Sequence, residues 1–122
     1  AGTSFLPPVA HGLAGRTVGV TGALSWSSDV FADAPGFAWA QWPDFLRFEV
    51  WRGARPGFTV TDGQPVGTTT TPSVAGLRLD WSRPYYKVRA VARNGGRGPL
   101  SDAVGVGAPR TGIGGRGGNW RP

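Results

Sequence analysis

The stretch YYKVRAVARNGGRGPLS, residues 85–101, decides the fold of this chain. Its alternate positions Tyr86, Val88 and Ala90 show the period of two that a β-strand has when one of its faces is buried. The residues that follow, from Asn94 to Pro99, are rich in Gly and end in Pro, and such residues favour a tight reversal of the chain. The stretch therefore predicts a half-buried strand that enters a hairpin turn.

A second strand with the same period lies upstream in LRFEVWR, residues 46–52. Shorter runs rich in β-branched residues lie on both sides of it: TVGV (17–20), ALSWS (23–27), FTV (58–60), PVGTTTT (65–71), SVAGLRL (73–79) and AVGVG (103–107). Gly or Pro interrupts almost every window that is long enough for a helix. Short strands separated by turn residues predict an all-β fold, an antiparallel β-sandwich.

Composition restricts the class of protein. The 122 residues suffice for one domain with a modest core, and an apolar content of 39% is too high for a disordered chain. The sequence has no Cys, which excludes disulfides and thiolate metal sites. No apolar run reaches the ~18 residues that span a bilayer, so we expect no membrane partner. We expect Ala1 to follow either a removed initiator Met or a cleaved signal.

Positive charge collects in the C-terminal third of the chain. The net charge is +6, and residues 81–122 alone carry eight Lys and Arg against one Asp, a balance of +7. Twelve of the thirteen basic residues are Arg, and a high ratio of Arg to Lys is also typical of proteins encoded by GC-rich genomes. We therefore expect contact with nucleic acid to be at most weak and non-specific.

Four segments in order resemble a fibronectin type III domain: LSWS (24–27), FEVWRG (48–53), PVGTTTTPSVAGL (65–77) and YYKVRAVARNGGRGPLSDAV (85–104). The resemblance covers about residues 17–107 and implies an immunoglobulin-like antiparallel β-sandwich. The family labels its strands by letter, and the resemblance places strand B in residues 23–27, strand C in 46–52 and strand F in 85–92. It also implies that six side chains of these strands pack together in the core: Trp26, Phe48, Val50, Tyr86, Val88 and Ala90.

The chain departs from the family pattern at two places. The corner Tyr of the family falls on Pro84, with Tyr85 one place later, so either a bulge moves Tyr85 into that role or the corner hydrogen bond is missing. The stretch between strands B and C, residues 28–45, is longer than usual and carries five aromatic residues: Phe31, Phe37, Trp39, Trp42 and Phe45. Either these residues pack over the open end of the sandwich or a neighbouring subunit covers them.

Residues that could support catalysis are few, and we expect a protein that is not an enzyme and has no cofactor. His11 is the single imidazole, in a Gly- and Pro-rich segment away from any Ser or carboxylate motif. We interpret the three Asp residues of the aromatic stretch, at positions 29, 33 and 44, as solvated loop acids rather than as metal ligands. Some fibronectin type III domains display an Arg-Gly-Asp cell-adhesion tripeptide in the turn after strand F. In this chain Arg97-Gly98 is followed by Pro99 and not by Asp, which excludes cell adhesion through that tripeptide.

The outward face of strands C and F forms a second candidate surface. If these strands are neighbours, Arg47, Glu49 and Trp51 face Lys87, Arg89 and Val91. The set forms either a self-contained ladder of ion pairs and cation–π contacts or a docking surface with Trp51 as its aromatic anchor.

Both termini have the composition of extended arms. We assign residues 1–16 to an N-terminal arm with Phe5 and Leu6, residues 17–107 to the sandwich, and residues 108–122 to a Gly/Arg-rich C-terminal arm. One GGRG copy is too short for an RNA-binding segment, and a solvated linker gives no role to Trp120. We therefore predict that Trp120 inserts into a pocket on a neighbouring chain. The other anchors predicted in this arm are Ile113, Arg116 and Arg121.

These features predict a structural or interaction subunit that binds neighbours through its arms and its aromatic loop, residues Phe37, Trp39 and Trp42 above all. Domains of this kind occur in head-decoration, minor capsid and tail proteins of phage virions, and a short chain with two arms resembles these proteins. The partners would then be other virion proteins or copies of this chain. The protein would then be made in the host cytoplasm. The alternative is an accessory module of a secreted polysaccharide-degrading enzyme, with Trp39, Trp42 or Trp51 stacked on sugar rings.

Overall fold

A computed structural model of the chain describes residues 6–42, 44–60 and 64–106. Over these residues the chain forms nine strands: β1 Ala14–Val18, β2 Thr21–Ser25, β3 Asp29–Phe31, β4 Ala34–Ala38, β5 Phe45–Gly53, β6 Gly67–Thr69, β7 Ser73–Arg78, β8 Tyr85–Ala92 and β9 Val104–Gly105. One short 3₁₀ helix, Trp39–Gln41, connects β4 to β5. The predicted all-β class is therefore confirmed.

The strands form an antiparallel β-sandwich. One sheet has the order β1-β2-β7, the second has the order β6-β5-β8-β9, and β3 and β4 form a separate hairpin. The longest ladder joins β5 to β8, where Phe48 pairs with Ala90 and Val50 pairs with Val88. The alternating apolar residues of the two strands therefore share one face, which is the face that lies against the other sheet.

The core lies between the two sheets. The six side chains expected there are all buried in one cluster, together with Leu24, Leu77 and Val106, which confirms the predicted core: Trp26, Phe48, Val50, Tyr86, Val88 and Ala90. The Trp26 ring meets the Phe48 ring edge to face, with centroids 5.1 Å apart. Edge-to-face pairs of this kind add about 0.5–1.5 kcal/mol to the stabilisation that burial supplies.

Two short strands differ from the sequence-based expectation. The run 17–20 was expected to be a strand, but the chain reverses inside it at Gly19, whose φ is +61°, and the strand is Ala14–Val18. The run 58–60 forms no strand, because Phe58 folds back over Gly53, where a Cβ atom would meet the Phe58 ring. The Phe58 carbonyl accepts a hydrogen bond from Lys87 Nζ instead of joining a ladder.

The described part of the N-terminal segment lies on the sandwich. Pro7 is fully buried, and a side chain at Gly98 would collide with the Pro7 carbonyl. The Ser27 amide donates a hydrogen bond of 2.9 Å to the His11 carbonyl. Because β1 begins at Ala14, the first strand starts within the range that the sequence assigned to the arm.

The start of β8, where a bulge at Tyr85 was one of the two expectations, has no bulge. The pairing of β5 with β8 continues without a shift at Tyr85 and Tyr86 and shifts only between Phe45 and Arg47. Tyr85 is therefore not moved into the corner position. The Tyr86 hydroxyl is buried and has no hydrogen-bond partner in the described part of the chain.

The sandwich has two distinct ends. β5 begins at Phe45 and ends at Gly53, about 26 Å away at a rise of ~3.3 Å per residue. The β3–β4 hairpin and the 3₁₀ helix lead into the first end, which we call the hairpin end. Tyr85 pairs with Gly53, and Thr21 pairs with Arg78, so the β1–β2 turn and the β7–β8 turn both lie at the second end, which we call the turn end.

Candidate functional site

The outer face of β5 and β8 carries the ladder of charged and aromatic side chains that the alternation of the two strands predicts. The register pairs three residues of each strand: Arg47 with Val91, Glu49 with Arg89, and Trp51 with Lys87. Lys87 Nζ lies 4.9 Å from the centroid of the Phe58 ring and donates a hydrogen bond of 2.8 Å to the Phe58 carbonyl. The segment after β5 therefore covers one end of the ladder.

Glu49 lies at the centre of the ladder and is 4% exposed. Its Oε1 accepts a hydrogen bond of 2.9 Å from Arg89 Nε and one of 3.1 Å from Trp51 Nε1. The Arg89 guanidinium also lies over the Trp51 ring, 5.2 Å from its centroid. Arg97 approaches from the turn after β8, with its Nε 3.9 Å from Glu49 Oε2. These contacts compensate a buried carboxylate that would be costly if it stood alone.

Trp51 contacts Glu49 and Arg89 within the ladder. The Trp51 side chain is 7% exposed, which leaves little of its ring for a partner. A groove of about 650 Å³ lies over the ladder, and Arg47, Thr68 and Arg97 contribute to its lining. The Arg97 side chain is 54% exposed, and its distance of 3.9 Å from Glu49 Oε2 is too long for a hydrogen bond. Its guanidinium is therefore available to an anionic group that enters the groove.

The aromatic stretch between β2 and β5 divides into an inner and an outer layer. Trp39 is 2% exposed, and its ring centroid lies 5.2 Å from that of Phe48 and 5.9 Å from that of Phe45. The inner layer thus closes the open end of the sandwich, which is one of the two arrangements that the sequence left open. In the β3–β4 hairpin that positions the outer layer, the register shifts between the Phe31–Ala34 and Asp29–Ala38 pairs. Gly36 lies in this irregular part of β4, with a φ of +101°, and its amide donates to Asp29 Oδ1 at 3.2 Å.

The outer layer consists of Phe31, Phe37 and Trp42, and we call it the outer aromatic cluster. Its three ring centroids lie 6.0 to 6.2 Å apart. Phe37 and Trp42 are half-buried, whereas Phe31 is 38% exposed. The cluster therefore presents aromatic surface to the solvent at the hairpin end.

The most exposed tryptophan of the described residues is Trp81, at the tip of the β7–β8 turn, where 64% of its surface is accessible. The turn around it is held by Asp80, whose Oδ1 accepts hydrogen bonds from the Ser82 amide at 2.9 Å and the Ser82 hydroxyl at 2.6 Å. Asp80 Oδ2 accepts from Arg83 Nε at 3.1 Å. These hydrogen bonds from Ser82 and Arg83 to Asp80 fix the turn that exposes the Trp81 indole, and we call them the Asp80 brace.

These hydrogen bonds change the acidity of Asp80. The Ser82 hydroxyl and then the Ser82 amide, which both donate to the carboxylate, are the main causes that lower the pKa of Asp80 to about 2; partial desolvation opposes them, and Arg83 adds a smaller lowering. The carboxylate is therefore ionised, and the brace is intact, over the whole range in which proteins normally work.

Sequence reasoning missed Trp81, because it belongs to no alternating run. A local signal was present in DWSRP, residues 80–84, since Asp followed two places later by Ser favours an Asx turn and Pro84 ends it. An apolar residue at the tip of such a turn cannot point into the core. Val20 was predicted to lie in a strand, but it follows Gly19 in the β1–β2 turn and is 87% exposed.

The remaining predicted contact residues fall into two groups. Leu6 is 62% exposed at the start of the described chain. Phe5 and the four residues of the C-terminal arm lie outside the described residues: Ile113, Arg116, Trp120 and Arg121. Their proposed contacts with a neighbour stay predictions.

His11 and the acidic residues have structural surroundings. His11 Nε2 donates a hydrogen bond of 3.0 Å to the Asp29 carbonyl, which joins the N-terminal segment to β3. Within residues 6–42, 44–60 and 64–106, no three His, Cys, Asp or Glu side chains converge as they would around a metal ion. The same ranges contain no helix that is long and apolar enough to cross a membrane.

Comparison with known proteins adds no relative. No family model matches the chain, and no curated protein matches it significantly.

Proposed function

We propose that this chain is a non-enzymatic structural or interaction subunit of a larger protein assembly and that its domain is of the fibronectin type III kind. The burial of Trp26 with Phe48 and Val50 in one core supports the domain assignment. The assembly that we propose is a phage virion, with the chain as a head-decoration, minor capsid or tail protein. Its partners would be other virion proteins or further copies of itself.

The observation that carries the interaction role is the display of Trp81. A tryptophan that is 64% exposed on a turn with four bracing hydrogen bonds or ion contacts loses little conformational entropy when a partner covers it. Trp and Arg are the residue types that most often anchor protein interfaces, and Arg83 lies two positions away. Trp81 therefore has the properties of a pre-organised interface anchor.

The alternative role, stacking on sugar rings, has less support from the tryptophans that were candidates for it. Trp39 is 2% exposed and Trp51 is 7% exposed, so neither ring face is open to a sugar. Trp42 is half-buried among Phe31 and Phe37. Assembly through the two ends of the sandwich accounts for more of the exposed aromatic surface.

Fractionation of the native source tests the proposal. We expect the chain to sediment with large particles rather than as a 12.8 kDa protein, as followed by an antibody raised against it. The variant Trp81→Ala should move to the slow fractions, and Trp81→Phe, which keeps an aromatic ring on the same turn, should stay largely with the particles. A chain that never leaves the slow fractions, or that pellets only with insoluble polysaccharide, would contradict the proposal.

A further inference from the structure

We infer that copies of this chain associate head to tail, with the turn end of one copy docked on the hairpin end of the next. The inference deepens the proposed function, on which it rests, by naming a second copy of the chain as a partner. It follows from what the two ends expose. Each end carries an apolar centre. The described charges of the turn end are mainly basic, whereas the charged side chains of the segment that carries the apolar centre of the hairpin end are all acidic.

The apolar centre of the turn end is formed by Trp81, Val18 and Val20. These residues are 64%, 51% and 87% exposed. The pairing of Thr21 with Arg78 places the β1–β2 turn beside the chain that leads into the β7–β8 turn, so the three side chains belong to one end of the molecule. Several exposed apolar residues at one end of a molecule favour an interaction surface there, whereas single scattered ones are ordinary.

The turn end is also basic. Arg55 and Arg78 are exposed, and the Arg83 side chain is 54% exposed. Among the described residues of this end the one carboxylate is Asp80, and it is already bonded to Ser82 and Arg83. An incoming surface that supplies carboxylates would therefore pair with these guanidinium groups.

The hairpin end has the complementary character. Its apolar centre is the outer aromatic cluster, in which Phe31 is the most open ring. Residues 28–42 and 44–45 contain three carboxylates and neither Lys nor Arg: Asp29, Asp33 and Asp44. Asp33 and Asp44 are exposed. Arg93 and Arg97, in the turn after β8, also lie at this end and are exposed, so the acidic character belongs to the segment that carries the outer aromatic cluster and not to the whole end.

A contact between these ends is heterologous, because each copy uses a different surface. Such a contact leaves one free end on every pair and therefore continues into a ring or a filament. Trp81 of one copy would cover the outer aromatic cluster of the next, and the Arg78 side of the turn end would face Asp33. On each copy the two surfaces lie beyond opposite ends of β5, a strand about 26 Å long.

The test uses the full 122-residue chain and sedimentation velocity at increasing concentration. We expect the wild-type chain to form larger species as the concentration rises. Trp81→Ala should raise the dissociation constant about 30-fold, the loss typical of an interface anchor. Asp33→Lys should also weaken association, and unchanged melting temperatures would show that both exposed substitutions leave the fold intact.

Mixing the two variants gives the sharpest result. The Trp81→Ala chain keeps its hairpin end and the Asp33→Lys chain keeps its turn end, so an equimolar mixture should form a capped dimer that does not grow. Arg78→Asp alone should weaken association, as Asp33→Lys does. The chain that carries both changes should recover association, because the carboxylate introduced at position 78 of one copy would face the ammonium group introduced at position 33 of the next. A mixture that stays monomeric, or a double variant without recovery, would overturn the inference.

Three further outcomes distinguish head-to-tail docking from association through the C-terminal arm and from the proposed function. A chain lacking residues 112–122 should still associate, and association that needs this segment but not Trp81 would overturn head-to-tail docking. A wild-type chain that stays monomeric at every concentration but is found in large particles would overturn it as well, while leaving the proposed function intact. Self-association by a chain that is absent from particles would instead reject the proposed function alone.

Discussion

Replacement of Glu49 by Ala tests whether the ladder on β5 and β8 holds the sheet together. The change removes the acceptor of the Arg89 Nε and Trp51 Nε1 hydrogen bonds, which are 2.9 and 3.1 Å long. It leaves Arg89, whose side chain is 16% exposed, without its counter-charge. Loss of one partner from a buried ion pair costs about 3–5 kcal/mol, and we expect a decrease of this size in the free energy of unfolding. Glu49→Gln keeps the shape and one acceptor oxygen, so it should cost only about 1–2 kcal/mol.

Urea unfolding at neutral pH measures these changes. A double-mutant cycle with Arg89→Met, which keeps the aliphatic part of the side chain, should give a coupling of about 1.5–3 kcal/mol. The side chains of the pair are 5% and 16% exposed, so the coupling should persist in 1 M salt (~3 Å Debye length), where surface pairs are screened. A cost below about 1 kcal/mol for Glu49→Ala, or a coupling near zero, would refute the structural role of the ladder.

Three other substitutions or deletions have defined outcomes. Trp26→Ala should lower the free energy of unfolding by about 3–5 kcal/mol in urea denaturation, because the ring is buried between the sheets, and a cost below about 1 kcal/mol would contradict that packing. An NMR titration should give Asp80 a pKa of about 2, below its ordinary value of 3.8, and Ser82→Ala should raise it. Since the pKa is lowered in the folded state, the brace stabilises the turn above pH ~4 and is lost as the pH falls towards 2; an unshifted titration would argue against it. Deletion of residues 112–122 should leave the melting temperature nearly unchanged, since we expect that arm to be ordered by a partner, and a large drop would place its contacts on the sandwich itself.

The parts of the fold that the sequence predicted are those in which alternation and burial agree. β8 has the bounds Tyr85–Ala92 that its alternation indicates, and β5 extends one residue beyond its predicted run at each end. The outward register of Glu49 opposite Arg89 followed from the same alternation once the two strands were placed side by side. In these strands the period of two is enforced by a buried face, so the pattern has one interpretation.

The parts that the sequence did not predict depend on contacts between distant residues. The strand expected at 58–60 is absent because Phe58 packs on Gly53, a position where only hydrogen leaves room for the ring. The aromatic stretch gave no periodic signal that would divide it into a buried Trp39 and an exposed Phe31. That division depends on where the β3–β4 hairpin meets the end of the sandwich, which local propensity does not determine.

The pairing of β5 with β8 also determines how the chain must fold. Glu49 and Arg89 are forty positions apart, so the ladder forms only after a long loop has closed, whereas the short β1–β2 turn needs no such search. Hairpins close in about 1–10 μs, but domains dominated by distant strand pairs fold in milliseconds to seconds. We therefore expect the rate-limiting step of folding to be the meeting of β5 and β8, and main-phase refolding within microseconds in a stopped-flow experiment would contradict this. Until these two strands meet, the row of apolar side chains on β5 stays open to solvent, and the time needed for that search is the interval in which a newly made chain is most exposed to aggregation.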